Sequence, residues 1–211
     1  EGEKVMAKGL VERIGMEGST LKHTPVGKYT IDLKEDIPDH VVGIKMVLKA
    51  LTHKEYGVIK DMSEIDAVGH RVVHGGERFA DSVLITGEVL QGIKACCEIA
   101  PLHNPPNLFG IEACMEIMKG VPQVAVFDTA FHQTMPKKAF LYGVPYEYYK
   151  DLKVRRYGFH GTSHRFIAGE TPKYLGKKPE DCKFIICHLG NGSSLSAIVG
   201  GKVVDTSMGL T

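Results

Sequence analysis

The sequence predicts an α/β protein. Apolar strand-like runs alternate with stretches whose apolar residues recur at helical three-to-four spacing, and the last strands are joined by turns too tight for a crossover. The opening "EGEKVMAKGLVERIG" reads as a helix already under way, followed by two short extended stretches around 19–23 and 28–32. In "DIPDHVVGIKMVLKALTHKEYG", Val41, Ile44, Leu48 and Leu51 mark a helix face, and Pro38 suits a first turn. "DAVGHRVVHGG" is a strand running into a glycine turn. "TGEVLQGIKACCEIA" is a helix with Thr86 as its cap, and "PLHNPPNLFGIEACMEIMKG" is a proline-rich loop feeding a helix that Gly120 ends. "VPQVAVFD" is a short buried strand. The texture then turns aromatic and loop-rich, which places a domain boundary near residue 130 and gives segments 1–130 and 131–211. A helix from about Ser163 to Leu175 and the strands "KFIICHL", "SLSAIVG" and "KVVDTS" follow, the last two joined at Gly200-Gly201. The chain begins at Glu1 rather than Met and stops beyond a strand, so both ends read as cut from something longer.

Composition narrows the class. The 211 residues are 43% hydrophobic and 24% charged, with 26 Lys plus Arg against 25 Asp plus Glu. A net charge of +1 gives no basic patch for nucleic acid, and the apolar runs are far too short for a bilayer span. No secretory signal opens the chain. The five cysteines, at 96, 97, 114, 182 and 187, are odd in number and form no C-x-x-C, so reduced thiols in a cytoplasmic protein are expected.

Several stretches could carry chemistry, and each has an ordinary reading beside the functional one. In "HLGNGSS", Asn191-Gly192 is a hairpin-turn signal, while Gly190, Gly192, Ser193 and Ser194 are small enough for main-chain N–H groups to converge on a phosphate. Neither a Walker nor a Rossmann glycine pattern occurs. In "HRVVHGGERF", His70 and His74 are four residues apart on a strand, about 13 Å at ~3.3 Å per residue, so they cannot share one metal ion. Arg71 is either a surface arginine paired with Glu77 or a fork for a small carboxylate or phosphate. Asp128 follows an apolar strand, where ligands of α/β sheets bind, and it either caps the next turn or serves as a magnesium-side or base carboxylate. In "YGFHGTSH", His160 is either a packed loop histidine or a donor to developing charge. Thr162 or Ser163 could cap the helix, and His164 reads as structural. His103 in "APLHNPPN" is equally open. An arginine, a carboxylate, histidines and a small-residue anion loop, without a nucleophile arrangement, suit phosphoryl transfer to a small acid.

In series and at these separations, "HRVVHGGERF", "APLHNPPN", "FDTAFHQTMP", "YGFHGTSH" and "CHLGNGSS" resemble the acetokinase family of the actin-like sugar-kinase and Hsp70 superfamily. The resemblance spans nearly the whole chain. It implies an actin-like (ribonuclease H-like) fold of two lobes, both incomplete here. Residues 1–130 would be part of the N-terminal, acetate-side lobe and 131–211 the start of the nucleotide lobe. It also implies a transferase that moves the ATP γ-phosphoryl group reversibly onto acetate, giving acetyl phosphate, with Mg2+ (or Mn2+), in a cytoplasmic homodimer. By position, Arg71 would hold acetate or the phosphoryl group in flight, and Val73, Leu102 and Phe159 would line the methyl pocket. Asp128 would act near the metal, indirectly. His160 would stabilise the equatorial phosphoryl oxygens with support from His103. His188, Gly190, Asn191 and Gly192 would cradle the nucleotide phosphates. Acetate is already ionised at pH 7, so Asp128 is an orienter rather than a proton acceptor.

The chain departs from the family by lacking its opening Asn-x-Gly-Ser-Ser-Ser-type hairpin loop. The family's second arginine, adenosine loop and magnesium-side glutamate are expected beyond Thr211, so the piece alone is expected to be inactive. The rival readings are a propionate or butyrate kinase, a metal-dependent hydrolase built on the histidine-rich loops, and a non-catalytic nucleotide-binding or scaffold fragment.

Overall fold

The structure, a computed structural model, describes residues 4–211. It opens with strands β1 (Ala7–Glu12), β2 (Thr20–Pro25) and β3 (Ile31–Lys34), which form one antiparallel sheet in that order. The stretch expected to be a helix is therefore strand β1, and the first three residues of that stretch lie outside the described ones. Tertiary pairing has overridden a weak helical spacing. β1 lies in register with β2 from Ala7↔Pro25 to Glu12↔Thr20, so close at Gly9 that a Cβ there would sit 2.7 Å from the Lys22 carbonyl oxygen. A glycine in a strand commonly marks such an approach of two backbones.

In β2, Leu21 and His23 turn inward while Lys22 points to solvent, the period-two alternation of a half-buried strand. Helix α1 (His40–Leu51) packs on this sheet. Its start is set by Asp39, whose carboxylate accepts from the Val42 N–H at 2.8 Å, with Pro38 one residue before the cap. Leu21, Ile37, Met46 and Ala50 form the core, with Val11, Leu33 and Val47 against it. Each such large apolar side chain contributes about 1.5–3 kcal/mol on burial.

The next elements are β4 (Val68–Val72), β5 (Val83–Leu84), α2 (Gly87–Ala95), α3 (Asn104–Ile117) and β6 (Gln123–Phe127). The Thr86 hydroxyl caps α2 as expected, accepting from the Val89 N–H at 3.3 Å. The strands form a second sheet ordered β4-β6-β5, with β5 antiparallel to β6. The aromatic, loop-rich segment folds into short helices α4 (Lys137–Phe140) and α5 (Tyr146–Leu152), and α6 (Gly161–Tyr174) follows. Strands β7 (Lys183–Leu189), β8 (Ser193–Val199) and β9 (Lys202–Thr206) close the chain as an antiparallel meander. Gly200 and Gly201 make the two-residue turn before β9, both at positive φ, as a type I′ hairpin needs.

One property of the last sheet runs against ordinary patterning. In β8 the inward residues are Ser194, Ser196 and Ile198, whereas Leu195 and Val199 face outward. In β7, Ile185, Cys187 and Leu189 likewise face outward. The core under this sheet is Met135, Phe140, Ala168, Ile186, Ile198 and Val203.

The chain packs as two units. One comprises residues up to Val68 with Phe109–Gln123, and the other comprises Gly69–Leu108 with Val124–Thr211. Every candidate site residue belongs to the second. No helix among the described residues is long and apolar enough to cross a membrane.

Candidate active site

The site begins where β4 and β6 end. Arg71 is the penultimate residue of β4, and Asp128 is the first beyond β6, its N–H bonded to the Val72 carbonyl at 3.0 Å. The two side chains meet as a fork. Arg71 Nε donates to Asp128 Oδ1 at 3.2 Å, and a terminal guanidinium nitrogen donates to Oδ2 at 2.5 Å. The burial is one-sided: the Asp128 side chain is 2% exposed and that of Arg71 64%. The hydrogen bond to the carboxylate holds the guanidinium pKa above its ordinary value. Arg71 is thus not the partner of Glu77, which binds Arg155 and the Tyr149 hydroxyl instead. Nor does Asp128 cap the turn that follows it, a 3-10 turn that starts at Thr129 without a side-chain cap.

His160 approaches from α6. The Gly161 N–H donates to the Asp128 carbonyl oxygen at 3.0 Å. A Cβ at position 161 would lie 2.2 Å from that oxygen, so glycine is what lets the helix start there. The helix has no side-chain cap from Thr162 or Ser163. His160 itself occupies the cap position with φ 59°, in the left-handed region. A non-glycine residue held there costs of order 1 kcal/mol and is typical of functional sites. Burial lowers the His160 pKa, the neighbouring His188 lowers it further, and the Asp128 charge raises it. The His160 and His188 rings stack at 4.0 Å, and His188 Nδ1 lies 2.9 Å from the Ser163 hydroxyl.

The turn of Gly190, Asn191 and Gly192 joins β7 to β8 and is exposed. The hairpin reading of "GNGSS" holds for its shape. It is a hairpin connection, and it lies against His160: a Cβ at Gly192 would come within 3.3 Å of His160 Cε1 and Nε2.

Val73 and Phe159 are buried beside this cluster's elements. The Val73 N–H donates to the Asn107 side-chain oxygen at 2.9 Å. Leu102 and His103 sit on the exposed loop before α3, Leu102 at 83% exposure, and no described contact joins either to Arg71, Asp128 or His160. His74 is not a metal ligand. Its Nδ1 accepts from the Gly76 N–H at 3.0 Å, which leaves Nε2 to donate to the Leu210 carbonyl at 3.0 Å. Burial lowers its pKa to about 4. All five cysteines are unpaired.

Sequence reasoning missed the layer beneath His160. Ser194 and His164 are fully buried, and the Ser194 hydroxyl lies 2.8 Å from both His160 Nδ1 and His164 Nε2. Beside them, His132 Nε2 lies 3.0 Å from the Ser196 hydroxyl. The available signal was the serine at every second position of "SSLS", on a strand whose other face carries the apolar residues.

The acetokinase family matches residues 1–211. The chain belongs to the acetokinase family. It is 60% identical over 211 residues to an acetate kinase of Natranaerobius thermophilus and 58% identical over 211 residues to one of Thermotoga maritima. All of this chain is covered in both, against 53% and 52% of those proteins. Among solved acetokinase-family structures, the Porphyromonas gingivalis acetate kinase superposes with a TM-score of 0.94 at 46% identity, covering 99% of this chain and 52% of that one. A propionate kinase from Francisella tularensis gives 0.90 at 41%, covering 98% and 51%. The chain therefore spans about half the length of the curated relatives it matches. Its mixed α/β fold is that of these kinases over the part it covers.

Proposed function

We propose that the protein containing this chain is a carboxylate phosphotransferase that moves the γ-phosphoryl group of ATP onto acetate, reversibly forming acetyl phosphate and ADP. The observation that carries this reading is the meeting of Arg71, Asp128 and His160 beside the Gly190–Gly192 turn, in a chain of this family.

Phosphoryl transfer asks for positioning and charge stabilisation rather than covalent help. The Arg71 guanidinium, largely exposed, offers donors to an incoming carboxylate or to the group in flight, while Asp128 fixes its direction. Asp128 is held by strand-end hydrogen bonds and orients rather than deprotonates. His160 donates to the equatorial phosphoryl oxygens, and the stacked His188 backs its ring. The turn of Gly190, Asn191 and Gly192 receives the nucleotide phosphates. Val73 and Phe159 form the inner wall of the methyl pocket and Leu102 its rim.

Magnesium fits this donor set only indirectly. Its usual sites take one or two carboxylates, waters and substrate phosphates. Asp128 is a lone buried carboxylate with each oxygen bonded once to Arg71, leaving acceptor capacity for a metal-bound water. When bound, the ion neutralises charge on the β- and γ-phosphates. In the intact protein we assign residues 1–130 to the acetate-side lobe and 131–211 to the start of the nucleotide lobe. The intact protein is taken to be a cytoplasmic homodimer.

The test is a hydroxylamine-trapping assay on the full-length protein with MgATP and acetate, propionate or butyrate. Acetyl hydroxamate formed fastest with acetate is expected. Because one of the similar solved structures is a propionate kinase, a higher kcat/KM with propionate would shift the substrate, and no product with any acid would overturn the reading.

A further inference from the structure

The His160 ring is engaged on two edges. Its Nδ1 lies 2.8 Å from the Ser194 hydroxyl, and its Cε1–Nε2 edge faces Gly192. Behind it, the same hydroxyl lies 2.8 Å from His164 Nε2. A hydroxyl has one proton to give and lone pairs to receive others. If both contacts are hydrogen bonds to neutral rings, three arrangements exist: protons run from His164 through Ser194 to His160, or the reverse, or both rings donate and the hydroxyl hydrogen points elsewhere.

His164 rules out the reverse. Burial, and then repulsion from His160 and His188, lower its pKa to about 4, so near neutral pH the ring carries a single N–H. Its Nδ1 is buried and has no hydrogen-bond partner. A proton there would be a buried donor without an acceptor, which costs the full desolvation penalty of the group, whereas a bare ring nitrogen there costs less. The proton therefore sits on Nε2 and donates to Ser194 Oγ. The Ser194 hydroxyl is fully buried and has no other described acceptor, so its O–H is left to donate to His160 Nδ1.

We infer that Ser194 and His164 are positioning residues that fix the tautomer of His160, placing the single hydrogen of its neutral ring on Nε2, the edge that faces the Gly190–Gly192 turn. This deepens the proposed function and rests on it for its catalytic meaning: His160 meets the transferring group as a neutral hydrogen-bond donor. Protonating Nδ1 as well would require Ser194 to accept twice and to turn its own hydrogen away from both rings. The relay thus disfavours the imidazolium.

Neutron diffraction from the full-length, deuterium-exchanged protein near neutral pH tests this directly. A deuteron on His160 Nε2 and none on Nδ1 is expected, and a deuteron on Nδ1 overturns the inference. Kinetics give a second reading. Ser194→Ala should lower kcat about ten- to a hundred-fold, the usual weight of a group that orients a functional imidazole. KM for acetate should stay within about two-fold, and Ser194→Thr, which keeps the hydroxyl, should recover most of the loss. An unchanged kcat in a folded Ser194→Ala protein would also overturn it. If the full-length protein phosphorylates no short carboxylate, the functional reading falls while the deuteron position still decides the tautomer.

Discussion

The second unit contains two arginine–carboxylate pairs with opposite burial. In Arg71–Asp128 the carboxylate is buried and the guanidinium lies mostly in solvent. In Arg155–Glu77 the Arg155 side chain is 4% exposed and that of Glu77 33%. Arg155 is also sandwiched, its guanidinium carbon 3.7 Å from the Phe140 ring centre and 5.0 Å from that of Tyr157. A cation fixed between aromatic faces is part of the packing. A cation held only at its tip by a buried anion can exchange one acceptor for another. The same two residue types thus serve a scaffold in one place and a site in the other, and the side that is desolvated makes the difference.

Asp128→Asn gives the largest expected separation. The Arg71 left behind is solvated, so no buried charge is stranded, and stability should change by about 1 kcal/mol, the net weight of an ordinary hydrogen bond. Activity of the full-length protein should fall about a thousand-fold, or ~4 kcal/mol of transition-state stabilisation. A loss under ten-fold in steady-state assays would erase the distinction between the pairs. Glu77→Gln should behave oppositely. It strands a buried guanidinium and should cost about 3 kcal/mol in urea unfolding, with kcat of the folded protein within a few-fold. If kcat collapses while stability holds, Arg155 belongs to the site.

Gly161→Ala sharpens the comparison from the backbone side. The added carbon meets a carbonyl oxygen at 2.2 Å, so the start of α6 must move away from Asp128. Stability should drop by about 2 kcal/mol, within the range of overpacking, and activity should fall with it. The smallest effect per residue is acid sensitivity. His74, His132 and His164 are each lowered to about 4 by burial. Unfolded, they titrate near 6.5, so the unfolded chain binds more protons between those values. Stability should be level above pH 6.5 and fall toward pH 4, by about 1.4 kcal/mol per pH unit for each histidine involved. Urea midpoints across that range check the sign, and His164→Gln should make the slope shallower.

Arg71, Asp128 and His160 were legible as candidates because each sits in a short block with its own geometry, a strand end, a strand end and a glycine turn, while only the resemblance to the acetokinase family joined them in one site. The second helix cap and the final hairpins were legible for the same local reasons. β1 was not, because "MAKGLVERIG" carries apolar residues at intervals that suit a helix nearly as well as a strand, and only β2 decides between them. The cap of α6 was misplaced because Thr162 and Ser163 have the usual chemistry, whereas a left-handed His160 is imposed by the Gly161–Asp128 contact. The role of Ser194 was hidden by β8 itself, which turns Ser194 and Ser196 inward and Leu195 outward, so that His164, read only as structural, showed no partner. Arg155 gave no local sign, since aromatic partners fifteen residues before it and two after it make its pocket.

The main-chain path from Val72 through Asp128 to Gly161 has a dynamic consequence. The carboxylate and the imidazole branch from neighbouring points of one hydrogen-bonded backbone seam, so thermal displacement should carry them in step. Arg71, reaching in from the adjacent strand on a long flexible stem, is the member free to swing. Across a series of liganded crystals of the full-length protein, the Cα spacing of 128 and 160 should therefore stay constant while the guanidinium turns between Asp128 and the bound group.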